Sequence, residues 1–225
     1  MIHNYSLVHD DLPAMDNDEY RRGRETTWKV YGDGMAVLAG DGLLNLAYET
    51  AALSFDMAKD TEDIKRAARA LKILGRKAGI YGMIGGQTAD LEAESDREIS
   101  GERLLFIHEN KTAALIQAAL MIGAVLAGAG EKEIAAMESA ASNIGIAFQI
   151  QDDILDVTST EEVLGKPVGS DERNHKLTYV SLYGLEKAKK EVKRMSETAL
   201  TILSSFENRN EFLEELVKML ITREK

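Results

Sequence analysis

Ile146-Ala147-Phe148-Gln149-Ile150-Gln151-Asp152-Asp153-Ile154-Leu155-Asp156 sets three aspartates among isoleucine, leucine, alanine and phenylalanine. It contains neither glycine nor proline, and it extends a run from Glu131 with helical spacing of apolar positions. On a helix, Asp152 and Asp156 lie one turn apart on a single face, with Gln149 one turn before them and Asp153 off to the side. Like charges bracketed by apolar residues destabilise a core unless a cation neutralises them. The stretch therefore predicts an α-helix that carries carboxylates for a purpose other than solubility.

A second carboxylate cluster lies far upstream, in Tyr5-Ser6-Leu7-Val8-His9-Asp10-Asp11-Leu12-Pro13-Ala14-Met15-Asp16. Asp10 and Asp16 would be about 240° apart around a continuous helix, too far to share a face. Pro13 breaks the helix between them and allows Asp16 to turn back toward Asp10. The ordinary alternative is a helix end with acidic decoration. Two such clusters facing each other would make an all-oxygen site suited to Mg²⁺, which usually also takes substrate phosphate oxygens. Cations for those phosphates are at hand. Arg21 and Arg22 follow the first cluster, and arginine binds phosphate bidentately. Lys111-Thr112 is expected to open an apolar helix, where a charge, a hydroxyl and free N–H groups would converge. Lys166 and Lys176 lie in or near the loop after the second cluster; a lone lysine is more often a solvated surface residue.

The rest of the chain agrees with an all-α architecture. Its 225 residues suffice for one large core, with 44% hydrophobic and 29% charged residues and only two prolines. Helices are expected over 1–12, 35–55, from about 59 through Gly82, Gly85 and Gly86 to 91, from Ser100 through Lys111 into the Ala-rich stretch, over 131–156, 177–205 and 210–223. No strong strand alternation and no wider internal repeat is present. The absence of cysteine excludes disulfides and thiolate-bound metal. A net charge of −11 argues against nucleic acid as a partner. No secretory signal is visible. Ala113–Gly130 is apolar but slightly short for a membrane span, and reads as a helix buried in a core.

These motifs resemble those of the trans-isoprenyl diphosphate synthase (polyprenyl synthetase) family, most closely its bacterial farnesyl-forming members. Besides both aspartate clusters and Arg21-Arg22-Gly23, the likeness takes in Gly165-Lys166-Pro167-Val168-Gly169-Ser170-Asp171 and Lys176-Leu177-Thr178-Tyr179. It extends over essentially the whole chain. The resemblance implies an isoprenoid synthase fold, an antiparallel helical barrel around a central apolar cavity, in a cytoplasmic homodimer. It implies head-to-tail joining of an allylic diphosphate (dimethylallyl or geranyl) to isopentenyl diphosphate, by ionisation, condensation and elimination, to give farnesyl diphosphate.

By the same resemblance, Asp10, Asp16 and Asp152 would ligate Mg²⁺ (with Mn²⁺ as a possible substitute), while Asp11, Asp153 and Asp156 would act through water or hydrogen bonds. Arg21, Lys111 and Lys176 would hold the allylic diphosphate and Arg22 the isopentenyl diphosphate. Lys166 and Gln149 would complete the closed site; Thr112, Gln87 and Asp90 would lie near the reacting carbons, with Phe148 among the substrate contacts. Tyr5, five residues before the first aspartate pair, would floor the cavity and limit product length. No histidine or glutamate presents itself as a general base, which fits a proton passing to the departing diphosphate; His3 and His9 read as packing or hydrogen-bonding residues.

Against the family pattern, residues 1–225 form a single domain that lacks the helices expected before the first aspartate motif, including a Gly-Lys-Arg segment for isopentenyl diphosphate. Three other readings follow from the residues: a geranyl or geranylgeranyl diphosphate synthase, a class I terpene cyclase, and an inactive helical partner subunit. Tyr5 opposes the longest product, and Arg21-Arg22 with the paired second cluster oppose the cyclase.

Overall fold

The computed structural model describes residues 1–94, 100–159 and 177–222. Among them the chain is helical almost throughout, with one short hairpin. Two compact units are distinguished, Met1–Leu71 and Lys72–Lys225.

The first unit begins with α1 (Ile2–Asp10). Pro13 has no N–H to continue the ladder, and the chain instead makes tight turns, with Asp16 N–H donating to the Asp10 carbonyl at 2.9 Å. Asn17, at φ 54°, completes the reversal; asparagine tolerates this left-handed region better than most residues. A hairpin follows, β1 (Tyr20–Arg21) paired antiparallel with β2 (Arg24–Glu25). Its two-residue loop has positive φ at both Arg22 (52°) and Gly23 (74°), as in a type I′ turn. Thr26 Oγ1 and Trp28 Nε1 both donate to the Asp18 carbonyl, at 2.8 and 2.9 Å, which fixes the base of this excursion. Then come α2 (Thr27–Tyr31), α3 (Asp33–Asp56) and most of α4 (Thr61–Ala78). α1 packs on α3 at Gly40, where an added Cβ would fall within the His9 ring, 2.8 Å from its Cε1. His9 Nε2 lies 3.0 Å from the Val37 carbonyl oxygen.

In the second unit, α5 (Met83–Glu94) is followed by α6 (Gly101–Ile107), a π-helical turn (His108–Ala113), α7 (Ala114–Leu126) and α8 (Glu131–Thr158). Ser100 caps α6 by accepting from Arg103 N–H at 3.2 Å. After 177 come α9 (Tyr179–Tyr183), α10 (Leu185–Ser204) and α11 (Glu211–Thr222). α8 is the spine. One core cluster gathers Ile150 and Ile154 of α8 with Leu104, Tyr179, Val192 and Met195. Another joins Ala140 and Ile144 of α8 to Ala199, Leu203 and Val217. Each aliphatic side chain so buried contributes about 1.5–3 kcal/mol of hydrophobic stabilisation before entropy is counted. Lys77 Nζ donates to Gln117 Oε1 and, at 2.6 Å, to Glu138 Oε1, which ties the end of α4 to α7 and α8.

Two helices expected to be continuous are divided. The long one through the glycines ends at Ala78 and restarts at Met83, with Gly82 N–H turned back to the Gly79 carbonyl at 3.0 Å. The expected 177–205 helix is split at Gly184, whose φ of 82° leaves the helical region. No described helix is long and apolar enough to cross a membrane.

Candidate functional site

In the first unit, the break after α1 supplies the local geometry of the upstream cluster. Asp10 and Asp16 are half-buried and Asp11 is buried. Arg21 Nε donates to Asp11 Oδ1 at 2.6 Å, and one of its terminal nitrogens lies 2.5 Å from the same oxygen. Asp18 Oδ2 stands 3.7 Å from that same terminal nitrogen. Partial burial alone would lower the Arg21 pKa. The hydrogen bond and charge of Asp11, with the charges of Asp18 and Asp10, more than reverse this and raise it, so the guanidinium stays charged. Arg22 is exposed at the tip of the hairpin. His3 is driven toward its neutral form by burial and then by the charges of Arg22 and Arg21. Tyr5 is 6% exposed, and its ring meets His9 edge-on at 5.8 Å. Five residues along an intact α1 put it about 7.5 Å from Asp10 along the axis.

In the second unit, one unbroken helix, α8, carries the downstream cluster. Gln149 Nε2 donates to Asp152 Oδ2 at 3.2 Å. Asp153 Oδ2 accepts from Tyr179 N–H at 2.6 Å. Asp156 is 2% exposed, and Phe148 is half-buried on the same helix. Lys111 Nζ and Asp90 Oδ2 form a 2.6 Å ion pair between the π-helical turn and α5. Gln87, one turn before Asp90, has its Nε2 buried without a hydrogen-bond partner.

Lys111-Thr112 does not begin a helix. It sits inside a continuous helical run through α6, the π turn and α7, so the free N–H groups of a helix start are not available there. Extra backbone in a π turn displaces the chain laterally, and such turns recur at functional sites. Two glycines that the sequence did not mark as functional make room for it. A Cβ on Gly86 of α5 would meet Asn110 C at 2.6 Å and Lys111 Cα at 2.7 Å. One on Gly145 of α8 would meet Ala113 Cα at 2.5 Å. His108 at the start of the turn also escaped notice; it is 6% exposed, and burial holds its pKa down at about 4, with Asp90 opposing weakly. Lys166 and Lys176 lie outside the described residues.

Among the described residues no three carboxylate or imidazole groups converge tightly enough to form a metal site by themselves. The donor chemistry in each cluster nonetheless suits a hard cation: oxygen donors only, half-buried or buried, with the nearby His9 ring engaged by Val37.

Known proteins resemble this chain over most of its length. A sequence model of the family described as Polyprenyl synthetase matches residues 1–220. Farnesyl diphosphate synthase of Bacillus subtilis is 44% identical over 224 residues, all of this chain and 74% of that protein. A dimethylallyltranstransferase of Fischerella ambigua is 43% identical over 226 residues, 99% of this chain but only 63% of that protein, less than two thirds of its length. Among solved structures, a geranyltransferase from Helicobacter pylori complexed with magnesium and isoprenyl diphosphate superposes with a TM-score of 0.81 at 35% identity. It matches 98% of this chain and 70% of that one.

Proposed function

The chain belongs to the polyprenyl synthetase family, and we propose that it is a magnesium-dependent prenyltransferase that joins an allylic diphosphate to isopentenyl diphosphate, head to tail, and releases farnesyl diphosphate. The observation that carries this reading is the pair of aspartate clusters, one on a broken helix with Arg21 ordered beside it, the other on an unbroken face of α8.

Asp10, Asp16 and Asp152 would hold Mg²⁺, with Asp11, Asp153 and Asp156 acting through hydrogen bonds or water. When bound, the metal supplies Lewis-acid stabilisation of the departing diphosphate. Arg21, charged and fixed before substrate arrives, binds allylic diphosphate oxygens without the entropic cost of being ordered on binding. Lys111 adds a second cation to the allylic diphosphate, Lys176 a third, and Arg22 receives the isopentenyl diphosphate. Lys166 and Gln149 close the site. Thr112, Gln87 and Asp90 line the region of the reacting carbons, and Phe148 contacts the chain. An allylic cation must be shielded from water while the double bond attacks it, which this reaction requires of the residues around these positions. Tyr5, buried in α1, is the reason to place the product at farnesyl length. The assembly is a homodimer in the cytoplasm.

Product analysis tests the proposal. The chain, incubated with Mg²⁺, isopentenyl diphosphate and geranyl diphosphate, should yield farnesyl diphosphate, and chelator should abolish it. In the same assay Tyr5→Ala should shift the product to longer chains. No product from the wild-type chain would favour the partner-subunit reading, and unchanged output from Tyr5→Ala would remove the floor from the account.

A further inference from the structure

The two aspartates of each adjacent pair do different things. Neighbouring residues on a helix diverge by about 100°, so Asp152 and Asp153 cannot aim at the same point from the axis of α8. Asp152 is turned to Gln149 within its own helix. Asp153 leaves α8 and accepts from the backbone N–H of Tyr179, the first residue of α9. That N–H is one of the donors a helix start leaves without an internal partner. The neighbouring donors of the same turn are also bound: Thr178 Oγ1 accepts from Ser181 N–H at 3.1 Å, and Ser181 Oγ accepts from Thr178 N–H at 2.9 Å. Tyr179 itself is buried against Ile150 and Ile154, so the bond fastens a segment already anchored to α8.

In the other unit Asp11 behaves the same way. Its carboxylate is 6% exposed and clamps Arg21, ten residues downstream, through two nitrogens. Asp10, by contrast, lies at the backbone closure with Asp16.

We propose that the second aspartate of each pair, Asp11 and Asp153, is a positioning residue that pins the downstream segment to its own carboxylate cluster: Arg21 in one case, the start of α9 in the other. The proposal rests on the function assigned above for its kinetic consequences, but not for its geometry. It gives each motif a division of labour, in which the first aspartate takes the metal-binding role proposed above and the second fixes a neighbouring part of the protein. A charged acceptor is needed for Arg21; for a backbone N–H any well-placed oxygen serves.

The experiment compares asparagine with alanine. In metal-free protein, Asp153→Ala should speed exchange of the Tyr179 amide at least about tenfold, the loss of one good hydrogen bond. Asp153→Asn presents an oxygen in the same place and should keep the rate within about threefold of wild type. Correspondingly, the Mg²⁺ concentration for half-maximal activity should rise less with asparagine than with alanine. At the other cluster, Asp11→Asn should raise KM for the allylic diphosphate about tenfold through a loosened Arg21, with the Mg²⁺ requirement moving less than twofold. The proposal is overturned if Tyr179 exchange is the same in all three proteins, or if both asparagine variants raise the Mg²⁺ requirement tenfold or more, as loss of a direct ligand would. Should the wild-type chain make no product, the functional reading fails while amide exchange still decides the positioning role of Asp153.

Discussion

Burial of His108 takes a group that titrates near neutrality and holds it uncharged down to about pH 4. The ordinary value for histidine is 6.5, so between these values the unfolded chain binds a proton that the folded chain refuses. Stability from this residue is complete above about pH 6.5 and is lost as the pH falls toward 4. The wild-type chain should therefore lose about 2 kcal/mol more than His108→Gln between pH 7 and pH 5, read from urea unfolding at each pH. Equal slopes would show that the imidazole opens to water. At this scale the sequence revealed the charged groups but not their surroundings. Asp10, Asp11, Asp152 and Asp156 stood out because carboxylates amid apolar residues are improbable. His108 did not, because nothing in a string of letters says which side of a helix a neighbour covers.

At the scale of elements, glycines decide what the periodicity could not. Apolar spacing identified most helices, since amphipathic patterns follow from burial of one face. It ran helices through Gly82 and Gly184, where the backbone turns instead. A two-residue strand carries no alternation, so the hairpin was illegible too. The π turn left no trace in composition; it emerges only when Gly86 and Gly145 are seen against it from two helices. Gly86→Ala and Gly145→Ala should each destabilise the protein by about 1–3 kcal/mol through overpacking. Gly123→Ala, in α7 with nothing within 4 Å of its would-be Cβ, should instead stabilise by about 0.4–1 kcal/mol. Chemical denaturation of the three variants checks the set; three equal values would mean that backbone entropy, not crowding, governs these sites.

For the whole molecule, α3 presents an apolar stripe to solvent. Met35, Leu38, Leu46 and Leu53 fall on one face of the helix and are 58%, 64%, 47% and 56% exposed. A stripe of that length is characteristic of an association surface. Sedimentation should show a dimer at micromolar concentration, and Leu38→Glu with Leu46→Glu should return it to monomer; dimers that survive both changes would place the contact elsewhere. A net charge of −11 adds self-repulsion that such an association has to overcome. The hairpin tip carries one more consequence. Position 22 requires a left-handed backbone, where asparagine or glycine sits more comfortably than arginine. A search for thermostable variants would thus be drawn to replace Arg22, and by improving the turn would discard the cation proposed above to receive the isopentenyl diphosphate. If Arg22 has that role, durability and turnover pull on the same residue in opposite directions.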